Sequence, residues 1–502
     1  MTAWLDRILG RVTMYGLVVI CLVAIAAVAL VRSALGQLSF SPLALLASGA
    51  VLLLSSYLAN GVAGLIVNTR PQLSSTAITA LLLLFIFPPT LDLLGLAALA
   101  LASVVAVLAK YLLAFRGRHV FNPAALGAFV VGLTGLNFSV WWVATPLLLP
   151  VVAIGAFLVL WRTRRFPLAL VFLVVATANV VVRSAVHGVP VVDGISTALL
   201  SLPLVFFAGF MLDEPLTLPP RRWQQLAEAA IVGVLFYLQF TAGPLTSTPE
   251  FALLIGNLLA FFAGQRRGIR LVFLGRSPLT ATSWRFDFRP LAPVRFTPGQ
   301  HMELTLPHAK TDSRGWRRVF SIASAPGDGG TVRFAMRLPE RSSSFKAALL
   351  ALEPGAVVSA TSVGGDFVLP KDLGRPLLLV AAGIGITPFV SQLEHAAAVG
   401  ERRDIVLLYS VSSPDELAFA EALRAAGCRV IVVSPTPPIE LPAGWSWAGA
   451  GPVTAAMIHS AVPDAASRTS YLSGPPELVA SLAKALRRSG ARRTVTDVFI
   501  GY

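Results

Sequence analysis

The sequence predicts a polytopic α-helical membrane domain, followed by an antiparallel β-barrel and a doubly wound α/β domain. Three observations lead to this fold class: long apolar blocks up to about residue 264, short alternating runs between Gly and Pro pairs from about 271 to 370, and a continuous apolar strand before a Gly-rich turn thereafter. With 55% hydrophobic and only 13% charged residues, the 502-residue chain differs from ordinary soluble proteins. We expect domains at 1–265, 266–372 and 373–502.

Ten apolar blocks in the first domain are candidate membrane helices, because a span needs roughly 20 apolar residues. They lie near residues 13–31, 43–66, 72–89, 91–114, 121–136, 141–161, 166–183, 195–212, 224–240 and 250–264. The third, fifth and eighth are short or interrupted by Pro, Gly or Asn. Ten helices divide into two halves of five, and the Ser-Thr-Ala matches at 75–77 and 196–198 are consistent with an inverted 5+5 repeat.

Arginine residues predict the orientation of these helices, since cytoplasmic loops of membrane proteins are enriched in Lys and Arg. One set of alternate loops carries only Arg32 and Arg183. The other carries Arg7, Arg11, Arg70, Arg116, Arg118, Arg162, Arg164, Arg165, Arg221, Arg222, Arg266, Arg267 and Arg270. We therefore expect a multi-pass protein of the bacterial inner membrane, with the N-terminus and the C-terminal domains in the cytoplasm. The lipid bilayer is then a partner, and nucleic acid is not, because no basic helix with interleaved aromatics occurs.

The few cysteines and histidines limit which metal-containing redox centres the chain can hold. Cys21 and Cys428 cannot provide the four ligands that an iron–sulfur cluster usually needs. A haem-bearing ferric reductase needs about four axial histidines in the membrane, and only His119 and His187 lie in that half, both at loops. We predict no metal site, so that the redox centre is organic or belongs to a partner.

The barrel contains a motif at residues 318–324, Arg-Val-Phe-Ser-Ile-Ala-Ser, with three kinds of side chain that suit a flavin. A guanidinium can donate two hydrogen bonds to a phosphate, an aromatic face can stack on a flat ring, and a small hydroxyl can hydrogen-bond to a ring nitrogen. Alone, the motif also fits an ordinary strand with an exposed arginine. Residues 342–345, Ser-Ser-Ser-Phe, fit either a phosphate site at a helix start or a plain N-cap.

The last domain contains a Gly-rich turn that suits a dinucleotide, and two further loops. Residues 382–388, Ala-Gly-Ile-Gly-Ile-Thr-Pro, directly follow a buried strand and precede a helix, so the backbone can approach a pyrophosphate. The loop at 409–416 offers Ser412 and Ser413 but no arginine, which favours NADH over NADPH unless a distant Arg468 folds back. Residues 473–476 are Ser-Gly-Pro-Pro, and residues 499–502 are Phe-Ile-Gly-Tyr, with an aromatic at each end.

In type and order, the motifs of both soluble domains resemble those of the ferredoxin–NADP reductase superfamily. The resemblance implies FAD, with Arg318 on its pyrophosphate, Phe320 against the isoalloxazine ring and the Ser321 hydroxyl near ring atom N5, and NADH or NADPH as the donor. The cofactor-binding residues it assigns are Arg318, Val319, Phe320, Ser321, Ser324, Ser343, Ser344, Gly383, Gly385, Thr387, Pro388, Gly474 and Pro475. The catalytic residues it assigns are Ser321, Ser473 and, as an aromatic that covers the flavin, Tyr502.

The membrane half resembles the flavoprotein family of the Rnf D and Nqr B subunits, in residues 75–90, 117–126 and 206–219. The resemblance implies an electron channel with flavin among the helices. In the family, FMN is esterified to a Thr near the outer face, but the corresponding position is Leu199, and Thr197 lies in a different pattern. We therefore expect no covalent FMN, while non-covalent FMN remains open.

Arg116, Arg118 and His119, before Asn122 and Pro123, suit an anionic group near a helix N-terminus. They equally suit a cytoplasmic loop before a proline-initiated helix.

Together these features predict a membrane-bound FAD-dependent NAD(P)H oxidoreductase that passes electrons from FAD to or through its membrane domain. A bound flavin, a quinone or an extracytoplasmic redox protein would each fit as the acceptor. The alternative from another class is a transporter-like or scaffold membrane domain that carries a regulatory or cytoplasm-only flavin reductase, since inverted repeats also occur in transporters.

Overall fold

The computed structural model describes residues 5, 9, 12–67, 72–115, 118–242, 245–265, 268–308, 312, 315–327, 330–338, 342–491 and 493–499. The chain divides into two compact units. One is Val12–Arg266, and the other is Arg267–Tyr502 together with Met1–Arg11. The division falls where the composition changes from apolar to that of an ordinary soluble protein.

Each of the ten apolar blocks of the first unit contains a helix. The helices are α1 Met14–Ala34, α2 Pro42–Ile66, α3 Leu73–Ile86, α4 Leu93–Leu112, α5 Pro123–Thr134, α6 Leu149–Thr163, α7 Phe166–Val186, α8 Val191–Leu200, α9 Leu204–Met211, α10 Arg222–Leu235 and α11 Pro249–Ala260. Two-residue strands form two hairpins between them, β1 Ala114–Phe115 with β2 Arg118–His119, and β3 Thr241–Ala242 with β4 Leu245–Thr246.

The sixth and eighth blocks differ from their predicted limits. The sequence predicts a helix from about residue 141, but α6 begins at Leu149, where Pro150 occupies the first turn. Proline is tolerated in a first turn but disrupts a helix interior, so Pro146 must lie outside the helix. The eighth block is bent by 52° between α8 and α9, next to Pro203, which has no amide hydrogen to donate.

Four helices, α1, α2, α4 and α7, are long and apolar enough to cross a membrane, and the bent pair α8–α9 makes a fifth candidate. The shorter apolar helices include α3, α5, α6 and α11. The part of the chain that the structure describes therefore contains four candidate spans by length and composition. A membrane domain of ten spanning helices stays a prediction.

The two halves of this unit share one packing pattern. In the first half α1 packs on α3, α2 packs on α3 and α4, and α4 packs on α5. In the second half the corresponding pairs are α6 with α9, α7 with α8 and α10, and α10 with α11. Across the halves, α1 packs on α6 and α5 on α11, which joins helices at equivalent positions.

The second unit begins with an antiparallel six-stranded barrel. Its elements are β5 Ile269–Pro278, β6 Ser283–Pro290, β7 His301–Thr305, β8 Arg317–Ser321, β9 Val332–Arg337, α12 Ser344–Leu350 and β10 Val357–Gly364, with strand order β8-β7-β10-β5-β6-β9. The Ala323 amide donates to the Arg333 carbonyl over 2.8 Å and joins the two edges. Inward-facing Phe273, Phe286 and Phe334 are fully buried, as the alternation of a half-buried strand requires.

A parallel sheet with helices on both faces completes the unit. Its elements are β11 Leu377–Ala382, α13 Thr387–Ala398, β12 Ile405–Ser410, α14 Ala420–Ala425, β13 Arg429–Val433, β14 Trp445–Trp447, α15 Ala455–Ala461, β15 Thr469–Gly474, α16 Pro476–Arg488 and β16 Thr494–Val498. The strand order is β14-β13-β12-β11-β15-β16, so that the chain adds β12 to β14 on one side of β11 and then β15 and β16 on the other. Such a reversal opens a crevice at the carboxyl ends of the strands, where doubly wound sheets bind ligands.

Candidate functional site

The predicted phosphate-binding residues of the barrel converge on one carboxylate. The Arg318 guanidinium, 8% exposed, places Nη2 3.0 and 3.2 Å from the two oxygens of Asp312. Its Nη1 donates to the carbonyls of Gly315 and Arg317, which fix its direction. The Ser344 amide donates to the same carboxylate over 3.2 Å. This donor set fits a diphosphate, because charge-assisted guanidinium and amide hydrogen bonds are the usual means of holding phosphate oxygens.

The hydroxyls of Ser343 and Ser344 both bond protein groups. Ser343 accepts from the Lys346 amide over 3.4 Å and caps α12, so the plain N-cap alternative holds for this side chain. The Ser344 hydroxyl accepts from the Asp312 amide and bonds Nε2 of His308, both over 2.9 Å.

Strand β8 presents the rest of the flavin motif. Val319 is exposed, Phe320 is half-buried with its ring 5.8 Å from that of Phe345, and Ser321 ends the strand at 7% exposure. Ser324 lies beyond the strand and is buried: its hydroxyl accepts from the Arg333 amide, and its carbonyl accepts from Ser391 of α13 over 2.7 Å. Ser324 therefore joins the barrel to the sheet.

The Gly-rich turn after β11 is shaped by its neighbours. Gly383 has φ +54°, which favours glycine. A Cβ on Gly385 would lie 2.3 Å from the carbonyl oxygen of Ser473, so only glycine permits this approach of the β15 end. Thr387 and Pro388 are buried in the first turn of α13, where the Thr387 hydroxyl donates to the Ile384 carbonyl over 3.1 Å. The structure thus brings the turns at 383–388 and 473–475 together.

Ser473 is the polar side chain at this contact. It is fully buried, and its Oγ has no hydrogen-bond partner among the described residues. Gly474 has φ +154° and Pro475 precedes α16, so the backbone turns sharply next to this hydroxyl. An unbonded buried hydroxyl is costly, and a ligand amide at this edge would satisfy it.

One site residue, Asp497, is not among the residues predicted from the sequence. It is the Cα partner of Ser473 across β15 and β16, and its Oδ2 accepts from the Ser321 hydroxyl over 3.3 Å. Burial raises the pKa of the Asp497 carboxyl to about 6, although the Ser321 hydrogen bond opposes the rise. The signal that could have found it is a single acidic residue in the strand Thr494–Val498, two residues before Phe499.

Tyr502, assigned as the aromatic over the flavin, lies outside the described residues, as do Arg7, Arg11, Arg70, Arg116, Arg266 and Arg267. Among the described residues, Phe499 is the aromatic that follows β16. Its amide donates to the Gly474 carbonyl over 3.1 Å, which places it beside the Ser473 turn.

Arg468, the distant arginine that the sequence left open as a 2′-phosphate ligand, cannot fold back to read an adenosine ribose. It precedes β15 and therefore lies at the amino ends of the parallel strands, opposite the ligand-binding edge. Its guanidinium is fixed by Asp404 and Asp464, each 2.8 Å away. At the carboxyl end of β12, Glu416 accepts from Thr280 and Thr282 of the barrel.

In the helical unit, the cationic residues predicted to face an anionic ligand contact protein groups. Arg118 donates to the carbonyls of Pro215, Leu216 and Leu218, and His119 Nδ1 lies 3.3 Å from Glu214. The Asn122 side chain caps α5 by accepting from the Ala125 amide. The loop alternative is therefore the one that these contacts favour.

The second unit can now be compared with known proteins. Residues 379–484 match the family model of the oxidoreductase NAD-binding domain. The chain is 29% identical over 198 residues to the toluate 1,2-dioxygenase electron transfer component of Pseudomonas putida, which covers 39% of this chain and 56% of that protein. It is also 29% identical over 203 residues to the 3-ketosteroid-9-alpha-monooxygenase ferredoxin reductase component of Mycolicibacterium smegmatis, covering 39% and 53%. The chain thus spans about half the length of these curated relatives.

The second half of the chain is a ferredoxin reductase-like FAD- and NAD-binding module. This confirms the predicted barrel and nucleotide-binding sheet and groups the module with FAD-dependent NAD(P)H oxidoreductases. Among solved structures, the chain is similar to an Amycolatopsis cytochrome P450 reductase, with a TM-score of 0.40 and 26% identity over 46% of this chain and 70% of that one.

Proposed function

We propose that the protein is a membrane-bound FAD-dependent NAD(P)H oxidoreductase, which passes electrons to or through its helical half. The observation that carries the proposal is the meeting of Ser321, Ser473 and Asp497 at the ends of three strands, β8, β15 and β16. The barrel motif and the dinucleotide turn thereby share one site. In this proposal the domains are 1–265, 266–372 and 373–502.

Bound FAD supplies a ring that accepts a hydride and gives up electrons singly. Arg318 and the Ser344 amide, which both bond the Asp312 carboxylate, would hold its diphosphate. Phe320 would contact the ring, and the Ser321 hydroxyl would orient it. When a proton leaves the ring, Ser321 Oγ would take it up and release its own proton to Asp497 Oδ2, which can accept it when the carboxyl is ionised.

The nicotinamide cofactor binds at the carboxyl edge of the parallel sheet. Gly383 and Gly385 let the protein backbone come close to the cofactor. The Ser473 hydroxyl donates to the nicotinamide amide. The pocket is shaped by Thr387, Pro388, Gly474 and Pro475. NADH is the favoured donor, because Arg468 is held at the opposite edge and the loop after β12 carries Asp415 and Glu416.

A charge reversal tests this preference. In Asp415→Arg, which places a guanidinium at the carboxyl edge, we expect kcat/KM for NADPH to rise about tenfold relative to NADH, since a charge-assisted phosphate contact is worth about that factor. Asp372→Arg makes the same charge change before β11, at the amino edge, and should leave the ratio unchanged. Equal responses of the two variants in steady-state assays would contradict the proposed position of the ribose.

The helical half is proposed to be a ten-helix membrane domain of the Rnf D and Nqr B type, in the bacterial inner membrane, with both ends cytoplasmic. The shared packing of α1–α5 and α6–α11 supports an inverted 5+5 repeat. Between these helices lies a mostly apolar cavity whose polar lining residues include Thr79, Asn122, Asp213 and Glu214. In this proposal a non-covalent FMN would bind among the helices, as the family resemblance implies. A transporter-like or scaffold domain is the second candidate, because the same repeat and cavity occur in transporters.

Reduction of bound flavin in membranes separates the two candidates. If NADH bleaches the flavin absorbance of purified membranes and this requires the FAD module, electron transfer is supported. Uptake of a ligand without flavin reduction would support the transporter.

A denaturing gel viewed for flavin fluorescence tests the flavin chemistry. We expect no fluorescent band, because Leu199 occupies the acceptor position and has no hydroxyl, and we expect FAD among the released flavins. If a fluorescent band appeared in the full-length protein and disappeared in Thr197→Val, covalent FMN on Thr197 would replace this view.

A further inference from the structure

The parallel sheet of the second unit has a strongly basic amino edge. This edge comprises the starts of strands β11–β16 and the ends of the helices that lead into them. Neighbouring strands pair in register, with Leu377 opposite both Ile405 and Thr469, so their first residues lie side by side. The described basic residues of the amino edge are Lys371, Arg375, Arg402, Arg403, Arg424, Arg429, Arg468, Arg487, Arg488 and Arg493.

The acidic residues of the amino edge are fewer, and most of them are already engaged. Glu401 accepts from Arg403 over 2.8 Å, and Asp404 and Asp464 both bind the buried guanidinium of Arg468. The acidic residues as a set are Asp372, Glu401, Asp404, Glu440 and Asp464. These ion pairs therefore involve the less exposed arginines and leave the outer ones to other partners.

Six arginines of the amino edge are exposed to solvent. In the part of the chain that the structure describes, none of the six forms an ion pair with a carboxylate, and Arg429 donates to the Ala461 carbonyl over 3.0 Å. The six are Arg402, Arg424, Arg429, Arg487, Arg488 and Arg493. They present positive charge that nothing within the described protein neutralises.

The charges of the amino edge act together on one buried group. Burial raises the pKa of the Tyr471 hydroxyl, and the guanidinium charges of Arg493, Arg375 and Arg403 oppose the rise. These three arginines precede three different strands, β16, β11 and β12. Their joint effect on a single hydroxyl indicates one continuous positive surface.

The carboxyl edge of the same sheet has the opposite charge. It carries Asp415, Glu416, Glu477 and Asp497, and the described loops that follow strands β11–β15 contain no Lys or Arg. A six-residue strand separates the two edges by about 20 Å. The proposed dinucleotide site lies at the carboxyl edge, so the arginines of the amino edge do not bind the phosphates of that cofactor.

We propose that the amino edge binds the headgroups of anionic phospholipids at the cytoplasmic surface of the membrane. This inference rests on the proposed function, in which the helical half holds the chain in a bilayer. An anionic lipid surface attracts Lys and Arg that lie within a Debye length of roughly 8–10 Å. Each such residue increases the ratio of bound to unbound population about fivefold. Several arginines on one edge therefore suffice for stable but reversible binding.

The position and the surroundings of the arginines favour lipid over other anionic partners. A redox protein on the amino edge would lie about 20 Å from the carboxyl edge, where the flavin is proposed to meet the nicotinamide, and so could not contact the ring. Single-stranded nucleic acid is usually held by aromatic side chains that stack on its bases. No aromatic residue occurs within four positions of any of the six exposed arginines in the sequence.

Lipid crosslinking tests the proposal. The full-length protein is placed in nanodiscs of phosphatidylcholine with phosphatidylglycerol that carries a photoreactive diazirine on its headgroup, and labelled peptides are identified after irradiation. We expect labelling of residues 399–404, 424–429, 462–469 or 487–493. Raising NaCl from about 0.05 to about 0.5 M shortens the Debye length roughly threefold and should greatly reduce this labelling. Labelling confined to the carboxyl-edge segments 383–388 and 411–416 would overturn the proposal.

A triple substitution separates charge from fold. In Arg487→Gln/Arg488→Gln/Arg493→Gln we expect labelling of residues 462–469, which contain none of the three positions, to fall about tenfold or more. The matched variant Arg487→Lys/Arg488→Lys/Arg493→Lys keeps the charges and should keep the labelling. FAD content and NADH-dependent ferricyanide reduction should be unchanged in both variants. Equal labelling in the two variants would overturn the proposal.

Two further results identify a failure. Nucleic acid that copurifies with the unmodified protein and is lost in the Gln variant, without lipid labelling of the amino edge, would assign the edge to nucleic acid and overturn the lipid proposal. Release of the chain from membranes by alkaline carbonate would overturn the proposed membrane attachment, and the inference with it. Retention in the membrane without labelling of the amino edge would overturn the inference alone.

Discussion

Arg318→Ala is expected to purify with little or no FAD, with the affinity for added FAD lowered roughly 100-fold. Charge-assisted hydrogen bonds contribute about 1.5–3 kcal/mol each, and the Arg318 guanidinium is fixed so that Nη2 faces an anion. The substitution removes the positive charge of the Arg318 guanidinium, which no other residue of the motif replaces. The flavin-to-protein ratio from the absorbance spectrum, and a fluorescence titration of the flavin-depleted protein, measure the effect.

Two controls separate FAD binding from folding. Arg317→Ala removes the same charge from the neighbouring position of β8, whose side chain lies on the other face of the strand, and should keep FAD. Asp312→Asn breaks the ion pair of Arg318 but keeps the guanidinium. If Asp312→Asn lost FAD as completely as Arg318→Ala, the arginine would act by holding the fold, and its assignment to the diphosphate would be wrong.

Asp497→Asn is expected to lower NADH-dependent turnover by on the order of 10², the lower range of general acid–base contributions. In the unmodified protein the rate should rise with pH through about 6, because Asp497 accepts the proton from Ser321 only when ionised. The amide cannot take up this proton, so the profile of the variant should be flat in that range. Turnover measured from pH 5 to 8 with ferricyanide as acceptor tests both points.

The same carboxyl should affect stability in the opposite direction. Its pKa is raised from 3.8 to about 6 in the folded protein, so the folded state holds the proton more tightly than the unfolded state. The stabilisation is present below about pH 4 and is lost as the pH rises through about 6. Asp497→Asn should therefore show a smaller fall in Tm between pH 5 and 7 than the unmodified protein. A larger fall would contradict the raised pKa.

Much of the second unit could be predicted because its signals are local. The alternation in Ser283–Pro290, the uninterrupted apolar run in Leu377–Ala382 and the Gly-rich turn after it each report the environment of a few consecutive residues. The same holds for the presence of a helix in each apolar block of the first unit, since apolar blocks of this length have few other structures available. The predictions of where α6 begins and where the chain breaks before α9 were less accurate. The reason is that the effect of a proline depends on whether it falls in the first turn of a helix or in its interior.

The sequence by itself determined the three-part architecture, the flavin motif at 318–324, the dinucleotide turn at 382–388 and the absence of a hydroxyl at Leu199, because these depend on residue type and short spacing. Only the tertiary structure decided that Asp497 joins Ser321 and Ser473, and that Arg468 is held at the amino edge of the parallel sheet. The physical reason is that parallel strands and repeated helices bring together residues far apart in the chain. No local pattern in the sequence records which strand ends or helix faces will meet.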